Sequence, residues 1–142
     1  MKLKTFLTLL TIATLGLPAA FAAEDDTPLM KEMKTVNKTL RTLKRQAADA
    51  SKKDENLALI ATIKKSLDAS LKFEPAKTKD VPAAEKAAYV EKFKQQMTEL
   101  GKTFDELETA IKADKADDAK KLFEKLSEQK EKGHKDFGAD DE

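Results

Sequence analysis

Residues 90–111 read VEKFKQQMTELGKTFDELETAI. Within them Val90, Phe93, Met97, Leu100, Phe104, Leu107 and Ile111 recur at alternating steps of three and four, with polar residues filling almost all the intervening positions. That spacing draws one apolar stripe down one side of a helix, the seam pattern of helical bundles, whereas a half-buried strand would need a step of two. The pattern predicts a helix over residues 83–112, about 45 Å long at 1.5 Å per residue. Downstream, residues 114–117 form an acidic turn, and Asp114 or Asp117 is expected to cap a last helix. That helix carries Ala119, Leu122, Phe123, Leu126 and Phe137 before Gly138 ends it. Upstream, residues 74–82 hold Pro75 and Pro82 and read as the longest linker. A second helix precedes it, with Leu57, Ile60, Ile63, Leu67 and Leu71, and stops near Phe73-Glu74-Pro75 because proline disfavours helix in the residue before it. The first helix starts at Thr27-Pro28, an N-cap followed by proline at the first helical position. Its stripe is Leu29, Met33, Val36, Leu40, Leu43 and Ala47. Short connections between helices one and two, and three and four, require antiparallel neighbours, so an all-α, up-down-up-down four-helix bundle with one core is the expected fold.

Composition agrees. Ala, Glu, Lys, Leu and Arg supply over half of the 142 residues, while Ile and Val total only seven, too few for a sandwich or barrel. With no cysteine there is no disulfide, no iron–sulfur cluster, no thiolate nucleophile and no Cys-x-x-Cys-His attachment. Four scattered glycines leave no phosphate-cradling loop. The net charge of +1, with Lys interspersed among Glu and Asp, gives no nucleic-acid footprint. The polar faces are expected to mix both charge signs, which argues against binding to a membrane surface.

The first residues form a signal. Lys2 and Lys4 are followed by an apolar run from Phe6 to Leu17, and Ala20-Phe21-Ala22 fits a small-x-small cleavage site. Residues 1–22 are therefore expected to be a cleaved secretory signal peptide, leaving a mature bundle of residues 23–142 that works in the periplasm. The apolar run is too short to span a bilayer, so no membrane insertion is expected after signal removal.

Two side chains are neither obvious core nor obvious surface. Met33 sits about five residues into helix one and His134 a few residues before the end of helix four. In an up-down-up-down bundle both lie about 6–10 Å from the same end, on helices packed side by side. On the helical wheel His134 falls about 20° from Phe123 and about 60° from Phe137, within the apolar arc. A Met in a stripe is commonly core filler, and a His in a Lys-rich last turn commonly a surface residue; the positions alone leave those readings open. Met30 is a rival to Met33, about 60° round the helix and off the centre of the stripe. Glu131-Lys132-Gly133-His134 has the Glu-x-x-His form of di-iron bundles, but a single His in the chain excludes that site by count. The same shortage argues against zinc and against an acid–base pair or triad, so no enzyme is expected. A thioether and an imidazole facing each other across a bundle can hold haem iron from both sides, which fills both axial positions and favours electron transfer.

Glu32-Met33-Lys34-Thr35-Val36-Asn37-Lys38-Thr39-Leu40 and Lys132-Gly133-His134-Lys135-Asp136-Phe137 resemble the two ends of the soluble cytochrome b(562) family, and the resemblance covers essentially the whole mature chain. It implies a periplasmic electron-transport protein with one non-covalent haem b, with Met33 and His134 at the two axial-ligand positions. Counting back from His134 without a gap places Phe93 and Met97 where the family has aromatic residues against the haem, and Val36 is expected to join them against the ring. The chain departs from the pattern in having Met97 in place of an aromatic ring. Lys130 stands in place of arginine, a point charge near a propionate rather than a planar fork. Gly133 beside the ligand position weakens the helix by about 1 kcal/mol relative to Ala. A monomer is expected, with redox proteins as partners and no nucleic acid. The competing expectation is a haem-free periplasmic helical module that binds a partner or shields unfolded chains, which composition supports equally.

Overall fold

A computed structural model of the protein describes residues 26–138. The proposed signal segment and the acidic tail lie outside the described residues. Helix α1 runs Pro28–Gln46, α2 Lys53–Ser70, α3 Lys86–Lys112 and α4 Ala116–Phe137, and no strand occurs among the described residues. α1 begins as its sequence dictates: Thr27 Oγ1 accepts from the Met30 amide at 3.2 Å, and Pro28 takes the first position, where no amide proton is needed.

α1 packs on α2, α2 on α3 and α3 on α4. Polar ties join consecutive helices: Lys64 of α2 reaches Asp105 at 2.5 Å and Glu108 at 3.1 Å on α3, and Lys125 of α4 reaches Glu106 of α3 at 3.0 Å. The core is one cluster drawn from all four stripes. Leu43, Ile60, Ile63, Phe104, Leu107 and Leu126 have no exposure, and burying each contributes roughly 1.5–3 kcal/mol. All six lie towards the end where α1 finishes and α2 starts. Towards the other end, where α1 starts and α4 finishes, Leu29, Met33, Leu71 and Tyr89 are only half-buried.

Three expectations are corrected. α3 starts at Lys86 rather than residue 83, because the Pro82 carbonyl first accepts from the amides of Glu85 and Lys86 in a preceding turn. The linker is not featureless: Ala76–Asp80 forms a 3-10 helix that buries Thr78. Neither aspartate caps α4; Lys115 holds that position without a side-chain bond. Asp114 instead adopts a left-handed φ of 54°, and its carboxylate receives Lys53 Nζ at 2.8 and 2.9 Å across the end of the bundle.

Candidate functional site

The end of α4 is held against α3 by its last turn. Tyr89 Oη donates to the Asp136 carbonyl at 3.1 Å, and Gln96 Nε2 donates to the Asp136 carboxylate at 2.7 Å, with Lys92 Nζ 3.2 Å away. The Gln96 bond, then the Lys92 bond, hold the Asp136 carboxyl below the usual carboxylate range. Phe137 turns inward, edge-on to Tyr89 at 5.1 Å and to Phe93 at 5.4 Å between ring centroids. These three rings form an apolar wall, with Met97 buried one turn along α3 from Phe93.

Fixing Asp136 on the α3 side fixes where His134 points. They are two positions apart, about 160° on the wheel, so His134 lies on the side of α4 away from α3. It shares a ridge with Phe123 and Ser127, about 20° from each. That ridge faces α1, because Ser127 Oγ accepts from Lys44 Nζ of α1 at 2.6 Å. On α1, Met33 lies about 20° from Lys44, on the same flank. Both side chains therefore border the seam between the first and last helices. From the Lys44–Ser127 contact, Met33 is about 16 Å down α1 and His134 about 10 Å down α4. Met33 and His134 thus both lie from that contact towards the end of the bundle where α1 starts and α4 finishes.

The seam is open. α1 and α4 make no close backbone approach comparable with those of the consecutive pairs. Met33 is half-buried against the core, and Val36, Phe93 and Met97 are buried. His134 and Lys130 are exposed. The expectation that His134 belongs to the buried apolar arc is thereby corrected: the wheel gives its direction, but α1 and α4 do not approach closely enough there to bury it. Lys130, only about 20° from Phe137 on the wheel, is exposed for the same reason. Met30, the rival sulfur, is 45% exposed and directed further outward.

Two cavities lie elsewhere. One of about 280 Å³ is lined by Glu74, Thr78, Lys86, Val90 and neighbouring residues beneath the linker. A groove of about 450 Å³ follows the seam at its other end, between Lys44, Lys120, Phe123, Glu124 and Ser127. Among the described residues no group of three or more His, Asp or Glu side chains converges as a metal site. No helix there is long and apolar enough to cross a membrane. Sequence reading missed Tyr89, Gln96 and Asp136, which lock the end of α4. Tyr89 sits four residues before Phe93, a spacing that could have revealed it; nothing in the sequence singles out Gln96 or Asp136.

The fold defines a class: antiparallel four-helix bundles. The chain belongs to the cytochrome b562 family, whose sequence model matches residues 28–137, from the first residue of α1 to the last of α4. Neither curated proteins nor solved structures give a match. The family makes this a haem-binding, electron-transport-type protein of a generally non-catalytic kind. Its residues fit such a group. A soft thioether and an imidazole flank one open seam, with Val36, Phe93, Met97 and Phe137 as buried apolar side chains at that end of the bundle and Lys130 exposed on α4 one turn before His134.

Proposed function

We propose that this chain is a periplasmic electron carrier that holds one haem b without covalent links, with Met33 Sδ and one ring nitrogen of His134 as axial donors. What supports this reading is that the whole bundle matches the family, and that helical periodicity puts both side chains on the flanks of α1 and α4 that border one seam, towards the same end of the bundle. Val36, Phe93 and Met97 would line the ring faces, and Lys130 would approach a propionate as a point charge. A bound haem supplies a one-electron couple, which thioether ligation moves to higher potential.

The remaining work belongs to the polypeptide. The Tyr89, Phe93 and Phe137 rings keep water from the inner side of the site. The ties of Tyr89, Gln96 and Lys92 to Asp136 hold the last turn of α4, and with it the His134 backbone, against α3. Export by residues 1–22 would deliver the chain to the periplasm, where a protein without cysteine relies on helix packing alone.

Titrating the purified mature protein with haem and recording the reduced visible spectrum tests the reading. A sharp low-spin spectrum saturating at one haem per chain is expected, turning high-spin in Met33→Ala and lost in His134→Ala. A protein that stays colourless after gel filtration would instead be a haem-free helical module.

A further inference from the structure

α1 carries a charge distribution unlike the rest of the molecule. Lys31, Lys34, Lys38, Arg41, Lys44 and Arg45 are all exposed, and Glu32 is the only acid in the helix. The six cations occupy one arc of about 140° that begins on the flank facing the seam and runs over the outer surface. Glu32 is half-buried and lies about 100° beyond the nearest of them. Lys34 is paired with Asp26 at 2.5 Å. The other five have no carboxylate within salt-bridge distance among the described residues; Lys44 and Arg45 bond only the hydroxyls of Ser127 and Thr42. The expectation of mixed charge on every polar face therefore fails for α1. Successive cations along the helix are separated by a rise of about 5 Å, less than the screening length of about 8 Å at physiological salt, so they act on an approaching surface as one field.

We propose that this face of α1 is the docking surface for an acidic protein partner, seated beside the seam that holds Met33 and His134. Four observations favour that occupant. The charge is of one sign, and five of the six cations have no carboxylate partner among the described residues, which attracts a complementary surface and steers its approach. Met30, the exposed large apolar side chain among the described residues, lies within the same arc at the seam end, where an interface places a small apolar contact. A bilayer is the weaker match, since lipid-binding helices set a basic face against a broad apolar one, and the apolar face of α1 is spent on the core. The band is about 21 Å long on a helix about 10–12 Å wide, well short of the roughly 800 Å² per partner of a stable complex, so the docking is brief and salt-sensitive. That the docked partner exchanges electrons rests on the haem reading; that the face binds acidic surface does not.

The test is an amide NMR titration of the mature protein with poly-L-glutamate as acidic probe, and separately with phosphatidylglycerol vesicles. Shifts confined to exposed positions of residues 30–45 are expected, with affinity falling at least about tenfold between roughly 20 and 150 mM salt. Lys38→Glu with Arg41→Glu should weaken binding by about tenfold or more. Lys65→Glu with Lys121→Glu changes net charge equally on exposed sites of α2 and α4 and should alter binding by less than about twofold. Equal weakening by both pairs, shifts spread over the other helices, or vesicles binding where poly-L-glutamate does not would each overturn the proposal. Circular dichroism of each variant establishes that it is folded. No haem signal enters the titration, so its failure leaves the haem reading standing, and a colourless protein leaves the docking result standing.

Discussion

His134→Ala separates a structural histidine from a ligand. The His134 side chain is exposed and has no hydrogen-bond or ion-pair partner among the described residues. Truncating it removes no buried side chain, and Ala is the better helix former by at most about 0.7 kcal/mol. The haem-free variant should therefore melt within about 3 °C of the haem-free parent, at about 4 °C per kcal/mol for a domain of this size. Haem changes the comparison. At a free concentration one hundred times Kd, a ligand that binds only the folded state adds about 2.7 kcal/mol, raising the parent's Tm by about 10 °C. If loss of the imidazole weakens binding a hundredfold, the same haem concentration equals the variant's Kd. Its gain is then about 0.4 kcal/mol, or about 2 °C. Far-UV circular dichroism melts of both proteins, with and without haem, read these four temperatures. A variant that keeps the full rise, or a parent that shows none, refutes the reasoning.

Phe137→Ala, three residues away, should behave oppositely. Its ring is 7% exposed and edge-packed on Tyr89 and Phe93, so its loss should cost about 4 kcal/mol and lower the haem-free Tm by roughly 15 °C in the same melts. Glu108 is held below the ordinary carboxylate range by Lys112, then Lys64. A depressed carboxyl adds stability that is complete above its unfolded pKa and lost as pH falls through the folded one. Urea unfolding should therefore show Glu108→Gln less stable than the parent at pH 7, with the gap closing below about pH 4. Gly101→Ala should stabilise α3 by about 0.5–1 kcal/mol, because a Cβ there meets nothing within 4 Å; a lower urea midpoint would contradict this.

The seven-residue stripe of α3 was legible because it is set by burial alone. Phe93, Met97, Phe104, Leu107 and Ile111 are buried, and Val90 and Leu100 half-buried. α2 was read less completely. Asn56, Ser66 and Ser70 are buried beside Ile60, Ile63 and Leu67. A count of apolar residues passes over them, yet the Ser70 hydroxyl donates to the Ser66 carbonyl at 2.7 Å and so enters the core satisfied. The cap of α4 was misassigned because Lys53, which takes the Asp114 carboxylate, comes from the first turn of α2, 61 residues away in sequence. At the site, the half-burial of Met33 against the core was legible from the 3.6-residue stripe of α1. The exposure of His134 was not, since it depends on how closely α1 approaches α4, and no local pattern encodes that distance. The basic band of α1 was hidden by a near-neutral total: opposite charges elsewhere in the chain offset it.

Carbon-13 labelling of the methionine methyl groups tests ligation most directly. In the haem-loaded, reduced protein an axial thioether holds its methyl over the porphyrin face, where the ring current moves its resonance far upfield. One such signal is expected, absent from Met33→Leu and retained in Met30→Leu and Met97→Leu. An upfield methyl that survives Met33→Leu, or none in a protein that has taken up haem, would contradict axial ligation by Met33.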